Sequence, residues 1–457
     1  MNYLGIETEI KNIPKLDEEF IPLYKFNEAF LKTASVPVGI AVERHNGERA
    51  SVRTFVHGTE AMKKADEYYI DRLVKTLLWM KGGYRVLVCG DEAIFSYLKS
   101  AFCAGGRREF DALFMQKLFE HPFETVKVDD IPENCDAPKK IGGHLDGCRI
   151  GFDAGGSDRK VSALLDGEVV YDEETVWYPK LNDNPQYHYD GIVSAFKSAA
   201  SHLPRVDAVG ISSAGVYINN RTMSASLFIK VPDQDSVKDI YIRAVKDCFG
   251  DIPMAVINDG DVTALAGAMS LGEDGVLGIA MGTSEAGGFV DENGCVKGWL
   301  NELAFIPLDA GPNAERDEWS GDIGCGVKYF SQDGVIKLTG KAGIALEDTL
   351  SPAEKLKAVQ TLAEEGDERA TEIFETLGCY LAHTLPLYHS LYAFKHVLLL
   401  GRVMSGKGGD ILLESCRKVL ADEYPELLDQ IALDLPDEKF RRLGQSATAA
   451  SLPEAIK

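Results

Sequence analysis

Basic residues are scarce in this chain: Lys and Arg total 48 against 71 Asp and Glu, which leaves a formal net charge of −23 over 457 residues. A surface this acidic repels a phosphate backbone or an anionic bilayer, so neither nucleic acid nor a membrane is an expected partner. An anionic small molecule stays open, because a nest of backbone N–H groups and a bound metal can reverse the field locally. Long hydrophobic runs are missing too, and no apolar stretch reaches the length of a bilayer-spanning helix. The opening Met1-Asn-Tyr-Leu-Gly-Ile-Glu7 lacks the basic-then-apolar pattern of a secretory signal, so a cytoplasmic location is expected. Nine cysteines occur without one Cys-x-x-Cys pair, which argues for reduced buried thiols and against a disulfide frame or a zinc or iron–sulfur knuckle.

What the chain does have is an ordinary globular composition, 45% hydrophobic and 26% charged, and a length that calls for about three domains or lobes. Residues 1–145 read as an N-terminal α/β domain. Strands at Val36–Glu43 and Ala50–Val56 flank the hairpin signal His45-Asn-Gly-Glu48, a helix runs from Glu67 to Met80, and Arg85–Cys89 is a buried strand. Nothing there has catalytic spacing. The order loosely echoes the one that begins at Ile150, which suggests a degenerate duplication; the preferred reading is a docking or dimerisation domain, with which a homodimer agrees.

From Ile150 the pattern changes. The apolar run Ile150–Phe152 ends in Asp153, passes Gly155-Gly156-Ser157, and resumes as an alternating stretch from Val161 to Val170. Two strands joined by a bare turn would place backbone N–H groups near an anion and the Asp153 carboxylate near a cation. A plain glycine-turn hairpin fits this stretch alone equally well. A strand at Ala208–Ser212 ends in Ser213-Ala-Gly215, where small residues allow a ligand to approach, and the strand Met254–Asp259 ends in Asn258-Asp259. In a sheet of strands alternating with helices, these strand ends converge. The same strand-then-turn device returns at Gly275–Met281 followed by Gly282-Thr-Ser-Glu-Ala-Gly-Gly288, which points to two related lobes. Near the C-terminus, Leu443–Ala450 reads as a small-residue helix able to pack closely on a neighbour.

Taken in order, Asp153–Ser157, Asn258–Ala266, Gly282–Gly288 and Leu400-Gly-Arg-Val403 resemble the motifs of the ROK family within the sugar-kinase and actin-like ATPase superfamily. The resemblance covers about two thirds of the chain, Ile150 to Pro453. It implies an α/β fold of two ribonuclease H-like lobes around a cleft, with lobe I at 146–270 and lobe II at 271–457, the C-terminal helix returning to lobe I. It further implies a kinase of carbohydrate metabolism that uses ATP and Mg²⁺. Asp259 would be the catalytic base, and Asn258, Glu302, Ser213 and Gly215 would contact the substrate. Gly155, Gly156, Ser157, Gly282, Thr283, Gly401 and Arg402 would hold the nucleotide, and Asp153 the Mg²⁺ through water. An alternative role for Asp259 is the N-cap of a helix beginning near Val262.

The chain departs from the family pattern where the substrate would sit. The family's Gly-Glu-x-Gly-His falls on Asn301-Glu-Leu-Ala-Phe305, so the His is Phe305. The zinc motif falls on Glu318–Val327 with only Cys325 left of its cysteines and Val327 in place of a sugar-binding Glu. No zinc is expected, and fewer polar contacts than a hexose kinase offers. Glu285 within the second phosphate motif would repel a triphosphate, while Arg402 could offset that charge. A sensor or scaffold that binds a sugar or nucleotide without turnover is the alternative function.

Overall fold

A computed structural model describes residues 1–138, 140–436 and 444–454, so Leu443 lies outside the described residues. Two units emerge from the packing: one is built from 1–137, 279–287 and 299–434, the other from 138–278, 288–298 and 435–457.

In the first unit, strands β1 (Val36–Glu43) and β2 (Arg49–Val56) form a hairpin whose turn puts Asn46 and Gly47 at φ 59° and 72°, the pairing that Asn-Gly favours. Helix α1 (Lys63–Lys81) follows and buries Ile70, Val74, Leu77 and Leu78 at helical spacing. After β3 (Arg85–Cys89) come α2 (Glu109–Phe119) and β4 (Glu124–Lys127), completing a sheet of order β2-β1-β3-β4.

The echo of this region in the second unit ends at strand direction, because β3 runs antiparallel to β1. In the second unit β5 (Cys148–Ala154) pairs antiparallel with β6 (Asp158–Leu165), and β6 with β7 (Glu168–Val176). The expected strand through Val170 is therefore two strands. Asp166 and Gly167, at φ 49° and 87°, turn the chain between them. After helix α3 (Pro185–Ala200), β8 (Ala208–Ser213) lies parallel to β5 with Ser212 opposite Asp153. A short helical turn at Asp235–Lys238 ends at Asp239, and α4 (Ile240–Phe249) follows. Strand β9 (Met254–Asn258) lies parallel to β8 and leads straight into α5 (Asp259–Leu271).

The hairpin β10 (Val276–Met281) and β11 (Glu285–Val290) contributes to both units and joins a sheet of order β11-β10-β12-β13 with β12 (His396–Leu400) and β13 (Ala432–Asp434). Between them the first unit carries α6 (Gln332–Thr339) and α7 (Glu368–Tyr392).

Helix α8 (Gln445–Ala450) packs on β5 and β8 in the second unit. Its small residues meet small residues: a Cβ on Gly151 would lie 1.7 Å from the Ser446 carbonyl oxygen, and one on Gly210 would lie 1.6 Å from that of Ala449. Ile150, Phe152, Val209, Ile211, Phe196 and Tyr241 form the core that fixes β5 and β8 and so presents their carboxyl ends. No helix among the described residues is long and apolar enough to cross a membrane.

Candidate functional site

Register alone brings the second unit's acidic groups together. Because Ser212 stands opposite Asp153 in the β5–β8 ladder, its hydroxyl donates to Asp153 Oδ1 at 2.8 Å. One strand further on, Asn258 is the N-cap of α5: Oδ1 accepts from the Gly260 N–H at 2.7 Å, and Nδ2 donates to the Gly215 carbonyl at 2.8 Å. The cap is therefore Asn258 and not Asp259. Asp259 is the first helical residue, and its Oδ1 accepts from the next N–H, Gly260, at 3.1 Å.

Asp153 is buried, and burial pushes its carboxyl up to about 6 although the Ser212 hydroxyl pulls the other way; the nearby charge of Asp259 adds to the rise. Asp259 is likewise raised by burial, opposed by the Gly260 N–H and the charge of Lys180. Neither carboxylate forms an ion pair among the described residues. Two neighbouring acids that lack a paired cation fit a hydrated divalent ion, and hard carboxylate oxygens are the donors Mg²⁺ takes.

The turn beside them is clamped by Trp177. Its indole Nε1 donates to the Gly155 carbonyl at 2.8 Å, and its backbone N–H donates to the Ser157 carbonyl at 3.1 Å. Gly156 and Ser157 are exposed, and Ser157 Oγ donates to Asp158. Lys180, which motif reading passed over, lies against this turn; it follows β7 in a short Pro179–Leu181 helical turn, and no spacing signal in the sequence marks it.

Ser213 is placed differently from the expectation of a substrate contact. It is fully buried, and its hydroxyl is shared with Tyr241 at 2.9 Å and with Tyr217 at 2.6 Å. Gly215, at φ 141°, leaves room for the Ser224 carbonyl, which a Cβ would meet at 2.4 Å. Both shape the wall; Tyr217 is half-buried with its hydroxyl turned in to Ser213, close enough to Asp259 to feel its charge.

In the first unit the turn that begins at Gly282 and the stretch Leu400–Val403 come together. Gly401, at φ 98°, sits on the end of β10, where a Cβ would lie 2.4 Å from the Met281 carbonyl oxygen. Gly282 follows Met281; its carbonyl accepts from the Gln332 N–H at 2.8 Å, so the start of α6 braces the turn. Thr283, Gly401 and Arg402 are exposed there. Bare backbone with exposed N–H, hydroxyl and guanidinium groups fits a nucleotide.

Glu285 corrects the expectation of repulsion. Its side chain turns into the interior, where Oε1 accepts from Tyr388 at 3.2 Å and Oε2 has no partner. Burial pushes the carboxyl up to about 8, so at neutral pH the group is uncharged.

Glu302 is half-buried, and its backbone N–H donates to the Trp79 carbonyl at 3.0 Å. Phe305, where the family motif has His, is packed on Trp79 and Trp319 with ring centroids 4.4 and 4.9 Å away. The loop at the position of the zinc motif is held by ion pairs. Asp322 accepts from Arg72 at 2.8 and 3.1 Å and lies 2.8 Å from Lys75 and 2.7 Å from Arg108, while Asp111 accepts from Trp79 at 2.6 Å. Burial opposes ionisation of Asp322, but the charges of Arg72, Lys75 and Arg108 outweigh it and hold the carboxyl far below the usual range. Cys325 is buried with its thiol pushed up to about 11, chiefly by burial. A single protonated thiol does not fit structural zinc.

The model of the ROK family matches residues 149–432. Among solved structures, a ROK hexokinase from Thermus thermophilus is similar at 18% identity and a TM-score of 0.52, over 66% of this chain and 96% of that one. A ROK family transcriptional regulator, a homologue of the E. coli MLC protein, is similar at 17% identity and a TM-score of 0.54, over 67% of this chain and 78% of that one. A ROK family protein from Streptococcus pneumoniae, solved with sucrose, is similar at 12% identity and a TM-score of 0.50, over 66% and 96%. These likenesses show an α/β fold of the actin-like ATPase kind. No curated protein matches the sequence.

Proposed function

Because the chain belongs to the ROK family, we propose that it is an ATP-dependent phosphotransferase acting on a hydroxyl of a sugar or sugar-like small molecule. One observation carries this reading: Asp153 stands at the end of β5 and Asp259 follows β9, on either side of β8, as carboxyls raised by burial with no ion-paired cation among the described residues. When bound, Mg²⁺–ATP supplies the phosphoryl group and neutralises the charge on it. Asp259 accepts the proton of the attacking hydroxyl, a role suited to a carboxylate whose pKa is raised toward the operating pH. Asn258 retains one amide N–H beyond its capping and Gly215 bonds, and that N–H orients the substrate oxygen. Asp153, steadied by Ser212, holds the hydrated metal ion. In the second unit Gly155, Gly156 and Ser157 bind phosphate; in the first unit Gly282, Thr283, Gly401 and Arg402 bind nucleotide. Glu302 contacts the substrate, while Ser213 and Gly215 act through the wall they build.

A second reading, a sugar or nucleotide sensor without turnover, is favoured by Phe305, which presents a ring packed among tryptophans where a hydroxyl-binding His would stand. The solved transcriptional regulator has the same fold. Release of ADP over a panel of hexoses, N-acetylhexosamines and polyols separates the two: turnover that Asp259→Asn abolishes supports the kinase, and nucleotide binding without turnover on any acceptor supports the sensor.

A further inference from the structure

The turn after β5 raises a question of charge. Phosphate needs a cation, and the residues that follow the glycines are Ser157 and Asp158, with Arg159 and Lys160 only then. Neither of those two basic side chains serves the turn. The Arg159 guanidinium lies over the Trp177 ring, 5.7 Å from its centroid. Lys160 is drawn to Asp158 at 3.9 Å and Glu174 at 3.8 Å on its own sheet.

The cation that does face the turn comes from elsewhere in the chain. A Cβ built on Gly156 would lie 3.1 Å from Lys180 Cε and 3.3 Å from its Nζ, so the ammonium group sits directly beside the glycine backbone. Lys180 forms no ion pair or hydrogen bond among the described residues, although acidic residues outnumber basic ones in this protein. Its position is set on both sides. Trp177, three residues earlier, is bonded to Gly155 and Ser157, and Pro179 is buried beneath the short helical turn that carries Lys180. A long exposed cation costs entropy to hold in place, and here the two flanking anchors reduce that cost.

We infer that Lys180 is a phosphate-binding residue, the cation that engages the phosphoryl group held at the Gly155–Gly156 turn. The inference rests on the phosphotransferase reading for its ligand, a nucleoside triphosphate.

The experiment compares wild type, Lys180→Met and Lys180→Arg by calorimetric titration with Mg²⁺–ATP and with tripolyphosphate, with melting temperatures as the control for folding. Lys180→Met is expected to weaken both ligands about tenfold or more, as loss of a charge-assisted phosphate contact does, with an unchanged melting temperature. Lys180→Arg is expected to restore much of the loss. Equal binding by wild type and Lys180→Met overturns the role of Lys180 whatever the turnover. Wild type that binds Mg²⁺–ATP yet phosphorylates no acceptor removes the kinase reading and leaves the Lys180 contrast to decide this one. Wild type that binds neither ligand overturns both.

Discussion

Lys75 and Asp322 meet at 2.8 Å, a fully buried ammonium on α1 and a carboxylate in the loop where the family motif would hold zinc. Arg72, Lys75 and Arg108 balance Asp71, Asp111 and Asp322 in one cluster, so removing any one charge strands its partners away from water. Asp322→Asn is therefore expected to destabilise the protein by about 3–5 kcal/mol in chemical denaturation. Chelators are expected to leave the melting temperature unchanged, since ion pairs hold the loop.

Asp259→Asn keeps the shape of the helix start, because Asn258 supplies the cap. Its expected effect falls on kcat, lowered by about 10²–10⁴-fold as for loss of a general base, with KM for ATP within a few-fold of wild type. A steady-state assay under saturating acceptor reads the split.

The pH profile follows from the same pair. Asp153, raised to about 6, and Asp259, also raised, must both be ionised for metal binding and proton acceptance. Activity should fall as pH drops through about 6, above the range of ordinary carboxylates. Asp153→Asn is expected to abolish the Mg²⁺ dependence of nucleotide binding, measured by titration at fixed ATP.

Glu285 gives a stability prediction with a definite sign. Its carboxyl is raised from 4.5 to about 8 on folding, so between those values the folded state keeps a proton the unfolded chain has lost. Its contribution to stability is full below pH 4.5 and is lost as pH rises through 8, a difference on the order of a few kcal/mol. Glu285→Gln keeps an acceptor for Tyr388 and removes the titration. The variant is expected to lose less stability than wild type between pH 5 and 9 in urea melts.

Much of this was legible from residue pattern. Apolar runs ending in small or acidic residues located β5, β8 and β9, because a buried parallel strand must be apolar and the residues just past its end are free to vary. The type of turn at Asp166-Gly167 was hidden, since alternation continues across it in Val169 and Val170 and the eye follows the period. Ser213 looked available because small residues at a strand end suggest access; only the structure shows two tyrosine hydroxyls drawing on it. Asn258 and Asp259 both suit a cap, and the choice between them turned on one residue of helix start, which composition does not resolve. Lys180 and the Asp322 cluster were illegible for a common reason: each depends on side chains distant in sequence, Gly156 with Lys180 and α1 with the 318–327 loop, and neither leaves a local period.

The close seating of α8 on Gly151 and Gly210 bears on how the protein is made. The strands that carry Asp153 and Ser212 leave the ribosome early, yet the backbone that covers their glycines belongs to residues 445–450. Until that segment emerges, one face of β5 and β8 has no cover, and the acidic strand ends sit on an unfinished sheet. The carboxylates of Asp153 and Asp259 thus stand on a sheet that is covered only once residues 445–450 have been made.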